Sequence, residues 1–164
     1  MKRLIIVRHA KSVHYGYDDD FNRDLSERGE KDATKIGKRL FSMNIQPDIM
    51  ISSPATRALK TARIFAKALG YPSGKIEENP DLYDGITSHE FIGLIQSLPD
   101  EIDVAFYFGH NPAFYCFVNS LLKHFDGEMP TCSTVAIDFD TDSWVNAGAR
   151  NGIKAFQLTP KMFK

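Results

Sequence analysis

The sequence predicts a single-domain, three-layer α/β/α sandwich with a mostly parallel central sheet. Short apolar runs rich in β-branched residues alternate along the chain with longer segments whose apolar residues recur at helical spacing. Such alternation indicates parallel strands with helices packed on both faces of the sheet. The length of 164 residues fits one domain, and no linker, repeat or low-complexity tract divides the chain.

Two strands and two helices are predicted in the first half of the chain. Residues 4–7 form a short apolar run that is typical of a buried parallel strand, and residues 48–51 form a second one. Between them, residues 26–43 carry apolar side chains at helical spacing. A second helix is predicted from residue 52 to residue 69, because two serines can cap it, a proline suits its first turn and a glycine follows it.

Capping signals mark two further helices in the second half. Thr87 and Glu90 fit a capping box, which begins a short helix that ends near residue 98. Asn111 is a candidate N-cap, and Pro112 suits the first turn of a helix that continues to about residue 125. The remaining predicted elements are a weak extended segment, a third strong strand and two final strands, at residues 76–82, 104–108, 133–139 and 153–158.

Composition and charge exclude several classes of protein. The net charge is −1, so no basic field favours nucleic acid, and no apolar run approaches the ~20 residues of a membrane span. The two cysteines, Cys116 and Cys132, form no disulfide framework, and we expect both to be reduced. An acidic tract at residues 18–20 lacks the spacing of a calcium loop. We therefore expect a cytoplasmic monomer without a metal or another cofactor.

Three polar motifs each follow a predicted strand. In open α/β sheets the carboxyl ends of the strands form the ligand crevice, so the motifs are expected to meet at one edge. Together they supply Arg8, His9, Arg57 and His110, a combination suited to binding an anion such as phosphate. These motifs occupy residues 8–12, 52–57 and 109–112.

This set of side chains predicts phosphoryl transfer. Negative charge spreads over the oxygens of a phosphoryl group in transfer, and two arginines would neutralise it. Of the two imidazoles, one can attack phosphorus and the other can act as a donor, provided that the nucleophile is neutral and its second nitrogen keeps its proton. Water would then hydrolyse the phosphohistidine intermediate, and no metal is required.

The order and spacing of these motifs resemble the histidine phosphatase (phosphoglycerate mutase-like) superfamily from residue 3 to about residue 113. The short chain and the Gly109-His110-Asn111-Pro112 segment are most similar to its SixA-type phosphohistidine phosphatase branch. The motifs that carry the resemblance are Arg8-His9 with Ser12, Ser52-Ser53-Pro54-x-x-Arg57-Ala58-x-x-Thr61-Ala62, Gly109-His110 and Leu25-Ser26-x-x-Gly29.

The resemblance implies a phosphoglycerate mutase-like fold in which His9 is the phosphorylated nucleophile. It also places Ser12 beside the nucleophile loop and Arg23 near the mouth of the pocket. Two positions depart from the family pattern: Ala10 replaces a glycine, and Asp24 replaces a proline. The residues implied to bind the phosphoryl group are Arg8, Arg57 and His110.

The proton donor for the leaving group is the least defined part of the predicted site. Mutase-like relatives place a glutamate after a leucine in the corresponding segment, where this chain has Leu82-Tyr83-Asp84. Asp84 is therefore the candidate acid, and a turn before Gly85 is the structural alternative. Glu90 is a second candidate, but its place in a capping box explains it structurally, and solvent is a third source of the proton.

The sequence thus predicts a metal-independent phosphatase that works through a phosphorylated His9. The predicted substrate is phosphohistidine on a protein such as a histidine-phosphotransfer domain. A phosphomonoesterase acting on a small phosphorylated metabolite is the first alternative, and a non-catalytic phosphate- or phosphoprotein-binding module is the second. A mutase is disfavoured, because the chain has no long insertion that could build a cap.

Overall fold

The computed structural model describes residues 1–14 and 19–163. Its six strands are β1 (Lys2–Arg8), β2 (Ile49–Ser52), β3 (Glu77–Glu78), β4 (Val104–Gly109), β5 (Thr134–Phe139) and β6 (Ile153–Leu158). Its α-helices are α1 (Glu27–Ser42), α2 (Thr56–Leu69), α3 (Asp81–Asp84), α4 (Ser88–Gln96) and α5 (Ala113–Leu121). Short 3-10 turns occur at Ser73–Lys75, Trp144–Asn146 and Pro160–Phe163.

The strands form one mixed sheet in the order β3-β2-β4-β1-β5-β6. β3, β2, β4 and β1 are parallel, β5 is antiparallel to β1, and β6 is antiparallel to β5. Arg8 at the end of β1 pairs with Gly109 at the end of β4, and Ser52 at the end of β2 pairs with Phe108. The carboxyl ends of these three strands therefore meet at one edge of the sheet.

Helices cover both faces of the sheet. Alternate residues of β1 enter two separate cores, since Leu4 and Ile6 pack into one and Ile5 and Val7 into the other. α4 and α5 bury their apolar side chains in the first core, and α1 and α2 do so in the second. The predicted α/β sandwich with a mostly parallel sheet is confirmed, and β5 is the strand that runs antiparallel to its neighbours. No helix in the described part of the chain is long and apolar enough to cross a membrane.

Two of the predicted helix starts are wrong. α2 begins at Thr56 with no side-chain cap, because the Ser53 hydroxyl lies against His110 and accepts a bond from the Ala55 N–H before the helix. α5 begins after Pro112, because the side chain of Asn111 donates to the carbonyl of Met129 instead of capping the helix. In both cases a tertiary partner competes successfully with the local cap.

Other boundaries also differ from the prediction. α5 ends at Leu121, and the weak extended segment consists of the two-residue strand β3 followed by α3. The predicted capping box is confirmed: the Glu90 N–H donates to Thr87 Oγ1, and the Thr87 N–H donates to Glu90 Oε1.

Candidate active site

The structure brings the predicted cationic and imidazole side chains together at the carboxyl edge of the sheet. Arg8 ends β1 and His9 follows it, His110 follows β4, and Arg57 lies in the first turn of α2. They line a cleft of about 390 Å³. The other residues that line it are Lys11, Ser12, His14, Arg23, Asn111 and Thr131.

His9 is held as a neutral imidazole with one free nitrogen. Its Nδ1 lies 2.7 Å from the carbonyl oxygen of Ala10, and because a carbonyl only accepts, Nδ1 carries the proton. Nε2 therefore keeps its lone pair. Burial lowers the pKa of His9 to about 4, and the charges of Arg57 and Arg8 act in the same direction against the opposing Ala10 hydrogen bond. The ring is thus neutral at physiological pH, which is the state that the predicted role of nucleophile requires.

The backbone beside His9 is fixed by α2. The Ala10 N–H donates to Thr61 Oγ1 at 3.0 Å, and the Thr61 hydroxyl in turn donates to the carbonyl of Arg57 at 2.7 Å. Ala10 is fully buried and its φ is not positive, so its Cβ is accommodated at the position where the family pattern has glycine. The nucleophile loop and the helix that carries Arg57 consequently form one rigid unit.

The start of α1 supports the same loop. The Ser26 hydroxyl donates to the carbonyl of Lys11 and accepts the N–H of Gly29 at the helix N-terminus. A Cβ on Gly29 would overlap the Lys11 carbonyl. This contact explains physically why a serine and a glycine three residues apart belong to the motif.

Asp20 is a site residue that the sequence analysis missed. Arg57 donates to the backbone carbonyl of Asp20 at 2.7 Å and to its Oδ2 at 2.9 Å. Arg23 donates to Oδ1 at 2.9 Å, and the Tyr83 hydroxyl donates to Oδ2 at 2.9 Å. Burial acts to raise the pKa of Asp20, but the hydrogen bonds from Arg57, Tyr83 and Arg23 outweigh it and lower the pKa to about 2. The Arg57 guanidinium is therefore already paired with an ionised carboxylate.

His110 faces His9 across the cleft. The two ring centroids lie 5.3 Å apart, and His110 Nε2 lies 2.8 Å from the Ser53 hydroxyl. Burial lowers the pKa of His110 to about 3, and the proximity of His9 and Arg57 adds to the effect. His110 is therefore also neutral near pH 7, and the Ser53 hydroxyl sets its orientation.

Unfilled hydrogen-bonding capacity is concentrated at this site. Among the described residues, the buried side-chain polar atoms without a partner all belong to four residues that line the cleft. Buried polar groups are normally paired, so such a cluster is typical of a functional site. The atoms are Arg8 Nε, Arg57 Nε, His110 Nδ1 and Asn111 Oδ1.

The remaining predicted site residues divide into two groups. Ser12 and Arg23 lie in the cleft, where the Arg23 guanidinium donates to Ser12 Oγ at 3.0 Å. Asp24 turns away from it and pairs with Lys60 at 2.7 Å. Asp84 is exposed at the end of α3 and is not among the residues that line the cleft. Its role as proton donor stays a prediction.

The two described carboxylates of the acidic tract have different environments. Asp18 lies outside the described residues, whereas the carboxylate of Asp19 accepts two bonds from Asn22 and that of Asp20 enters the site. Within residues 1–14 and 19–163, no three His, Cys, Asp or Glu side chains converge in a way that suits a metal ion.

The site lies where parallel strands end and brings imidazole and guanidinium side chains together, as expected for binding a phosphoryl group, and sequence comparison identifies the family. A model of the histidine phosphatase superfamily (branch 1) matches residues 4–103. An uncharacterized chloroplastic protein of Arabidopsis thaliana is 31% identical over 169 residues, which cover 96% of this chain and 75% of the plant protein. This chain therefore belongs to the histidine phosphatase superfamily, and the prediction of a histidine phosphatase is confirmed.

A second group of relatives matches a smaller part of the chain. The mitochondrial serine/threonine-protein phosphatase Pgam5 of Drosophila ananassae is 37% identical over 75 residues. That match covers 46% of this chain and 26% of the fly protein. The match thus covers only about a quarter of the length of that relative.

Solved structures share the fold over the full length of the chain. The protein histidine phosphatase SixA complexed with tungstate has a TM-score of 0.86 at 20% identity and is covered over 99% of both chains. A protein from Agrobacterium tumefaciens described as a phosphohistidine phosphatase SixA has a TM-score of 0.81 at 23% identity, over 97% of this chain and 98% of that one. The predicted phosphoglycerate mutase-like fold of the SixA type is confirmed.

Proposed function

We propose that this protein hydrolyses phosphohistidine on other proteins through a phosphorylated His9, without a metal ion. The observation that carries the proposal is the neutral His9 ring, with Nδ1 tied to the Ala10 carbonyl and Nε2 free, beside two arginines. A nucleophile of that kind needs no metal to activate it.

The reaction follows from this geometry in two displacements. In the first, His9 Nε2 forms a bond to phosphorus, the phosphorus–nitrogen bond of the substrate breaks, and its electron pair stays on the substrate imidazole. Arg8 and Arg57 neutralise the charge on the transferring oxygens. In the second, water forms the bond to phosphorus, the His9–phosphorus bond breaks, and phosphate leaves. Nδ1 keeps its proton throughout, because it donates a hydrogen bond to the Ala10 carbonyl.

The state of the carboxylates favours phosphohistidine over phosphate esters. An alkoxide leaving group needs a well-placed acid, which requires a carboxyl with a raised pKa. In the described part of the site, Asp20 is instead held ionised by its donors, and Asp84 is exposed. The imidazole of phosphohistidine leaves readily once solvent has protonated it, so a site without a strong acid can still release it.

A protein rather than a metabolite as the substrate is supported by the relatives. The SixA structure with the TM-score of 0.86 is described as a protein histidine phosphatase, and the fly Pgam5 is described as a serine/threonine-protein phosphatase. The sequence also shows no long insertion that would enclose a small molecule. A metabolite phosphatase is the alternative that the test must separate.

The test is turnover on a panel that contains phosphoramidate-phosphorylated histidine peptides, p-nitrophenyl phosphate and a sugar phosphate, with and without a chelator. We expect the highest kcat/KM for the phosphohistidine peptides and no effect of chelation. Rapid quenching should trap an acid-labile, base-stable phosphoenzyme in the wild type and none in a folded His9→Ala variant. A strong preference for the sugar phosphate, or strict dependence on a divalent cation, would contradict the proposal.

A phosphoprotein-binding module without catalysis predicts a different result in the same experiment. It would bind the phosphorylated peptide but turn over none of the panel, and the His9→Ala variant would behave as the wild type does.

A further inference from the structure

An apolar groove adjoins the catalytic cleft on the side of α3 and α5. It has a volume of about 460 Å³ and shares His110 and Asn111 with the cleft. None of the described residues that line it is acidic or basic at neutral pH, in contrast to the cleft with its three arginines and a lysine. The side chains that give the groove its apolar lining are Leu82, Tyr83, Ile86, Pro112, Cys116 and Phe117.

The groove has a buried floor and exposed walls. Leu82 and Phe117 are buried beneath it and belong to the core under α4 and α5. Pro112 and Cys116 are exposed along the α5 side. The groove therefore opens at the protein surface, where a segment of another polypeptide can enter it.

A short path of rings joins the groove to the nucleophile. The His9 and His110 rings lie 5.3 Å apart, and the His110 and Tyr83 rings lie 5.5 Å apart in an edge-on contact. Tyr83 forms one wall of the groove. Side chains three or four residues apart on a helix have Cβ atoms about 5–6 Å apart, which matches one of these two steps. The length of the phosphohistidine side chain and of the neighbouring side chain adds to this reach.

We propose that this groove binds an apolar side chain of the polypeptide whose phosphohistidine enters the cleft. The proposal rests on the proposed function and adds a specificity subsite to it. The two cavities share His110 and Asn111 and are opposite in character, so a substrate that fills both carries a phosphoryl dianion and an aliphatic or aromatic side chain a few residues away. An acidic side chain at that position would lose its hydration in the groove without gaining a cationic partner.

The test compares phosphohistidine peptides that differ at the neighbouring residues. Peptides with leucine, alanine or aspartate within four residues of the histidine are phosphorylated with phosphoramidate. We expect kcat/KM for the leucine peptide to exceed that for the alanine peptide by about tenfold, and the aspartate peptide to be poorer still. Phosphoramidate itself can bind in the cleft but has no side chain to place in the groove. It therefore serves as the control substrate whose turnover does not depend on the groove.

A variant that fills the groove makes the test specific. Cys116→Phe should abolish the preference for leucine and leave phosphoramidate turnover unchanged. Asn119→Phe is the matched control, because Asn119 is exposed on the same helix but is not among the groove residues. This control should keep the preference.

Thiol labelling provides a direct measure of binding. Cys116 is exposed and Cys132, the other cysteine, is fully buried, so a maleimide should modify Cys116 selectively. In the His9→Ala variant, which does not consume the substrate, the phosphorylated leucine peptide should slow this modification more than the aspartate peptide does.

The outcomes distinguish the two proposals. Turnover of all three peptides at equal rates, or a preference that survives Cys116→Phe, would overturn the groove assignment and leave the proposed function standing. Failure to turn over any phosphohistidine substrate while p-nitrophenyl phosphate is hydrolysed would overturn both.

Discussion

Replacing Asp20 by asparagine should strengthen the binding of inorganic phosphate. In the structure the Asp20 carboxylate binds Arg57, which is predicted to bind the phosphoryl group, and Arg23, which also lines the cleft. The product must therefore displace an ionised competitor. The Asp20 side chain is 51% exposed, so water screens each of these ion pairs, and the carboxylate–arginine attraction is worth at most about 1 kcal/mol.

That magnitude sets the expected effect. Removing about 1 kcal/mol of competition corresponds to about a fivefold lower inhibition constant for phosphate, since about 1.4 kcal/mol is tenfold. Because the hydrogen bonds from Arg57, Tyr83 and Arg23 lower the pKa of Asp20 to about 2, the carboxylate is ionised throughout the neutral range. The ratio of inhibition constants between the wild type and the variant should accordingly be the same across the neutral range.

The assay is product inhibition of phosphohistidine hydrolysis, measured in the wild type, Asp20→Asn and Asp19→Asn. The last variant removes the same charge one residue away, where the carboxylate accepts from Asn22 rather than from a cleft arginine. An inhibition constant for phosphate that is unchanged or higher in Asp20→Asn would refute the reasoning, as would an equal drop in Asp19→Asn.

Four further results are expected. Arg8→Lys and Arg57→Lys should each lower kcat by a factor of about 10²–10³, because lysine is a point charge where a planar guanidinium is needed. Near-normal rates would contradict the proposal that both arginines bind the phosphoryl group in the transition state. The acid limb of kcat/KM, corrected for titration of the substrate, should lie near pH 4 rather than 6.5, because the lowered pKa keeps His9 neutral down to that pH. Asp84→Ala should leave ester and phosphohistidine turnover unchanged, since Asp84 is exposed outside the cleft lining, and a selective loss of ester hydrolysis would instead support its sequence-predicted role as proton donor. Gly29→Ala should lower the free energy of unfolding by about 1–3 kcal/mol in thermal denaturation, because its Cβ overlaps the Lys11 carbonyl.

The sequence by itself determined the fold class and the four central side chains of the site. Strand and helix periods are local properties, so alternating apolar runs predict the layers before any tertiary contact is known. Arg8 ends a strand, His9 and His110 directly follow strands, and parallel strands end at one edge of a sheet. The capping box of Thr87 and Glu90 could also be predicted from the sequence, because both of its hydrogen bonds span three residues.

Only the tertiary structure decided which polar side chains complete the site. Asp20 bonds Arg57 across 37 residues and Tyr83 across 63 residues, and these bonds depend on how a loop and a short helix sit on the sheet edge. The same placement brings Tyr83 into contact with His110 and leaves its neighbour Asp84 exposed. Local sequence offered Ser53 as a helix cap, but at the sheet edge its hydroxyl lies 2.8 Å from His110. Short-range signals specify elements, whereas the partner of a polar side chain is set by which elements the packed core brings within hydrogen-bonding distance.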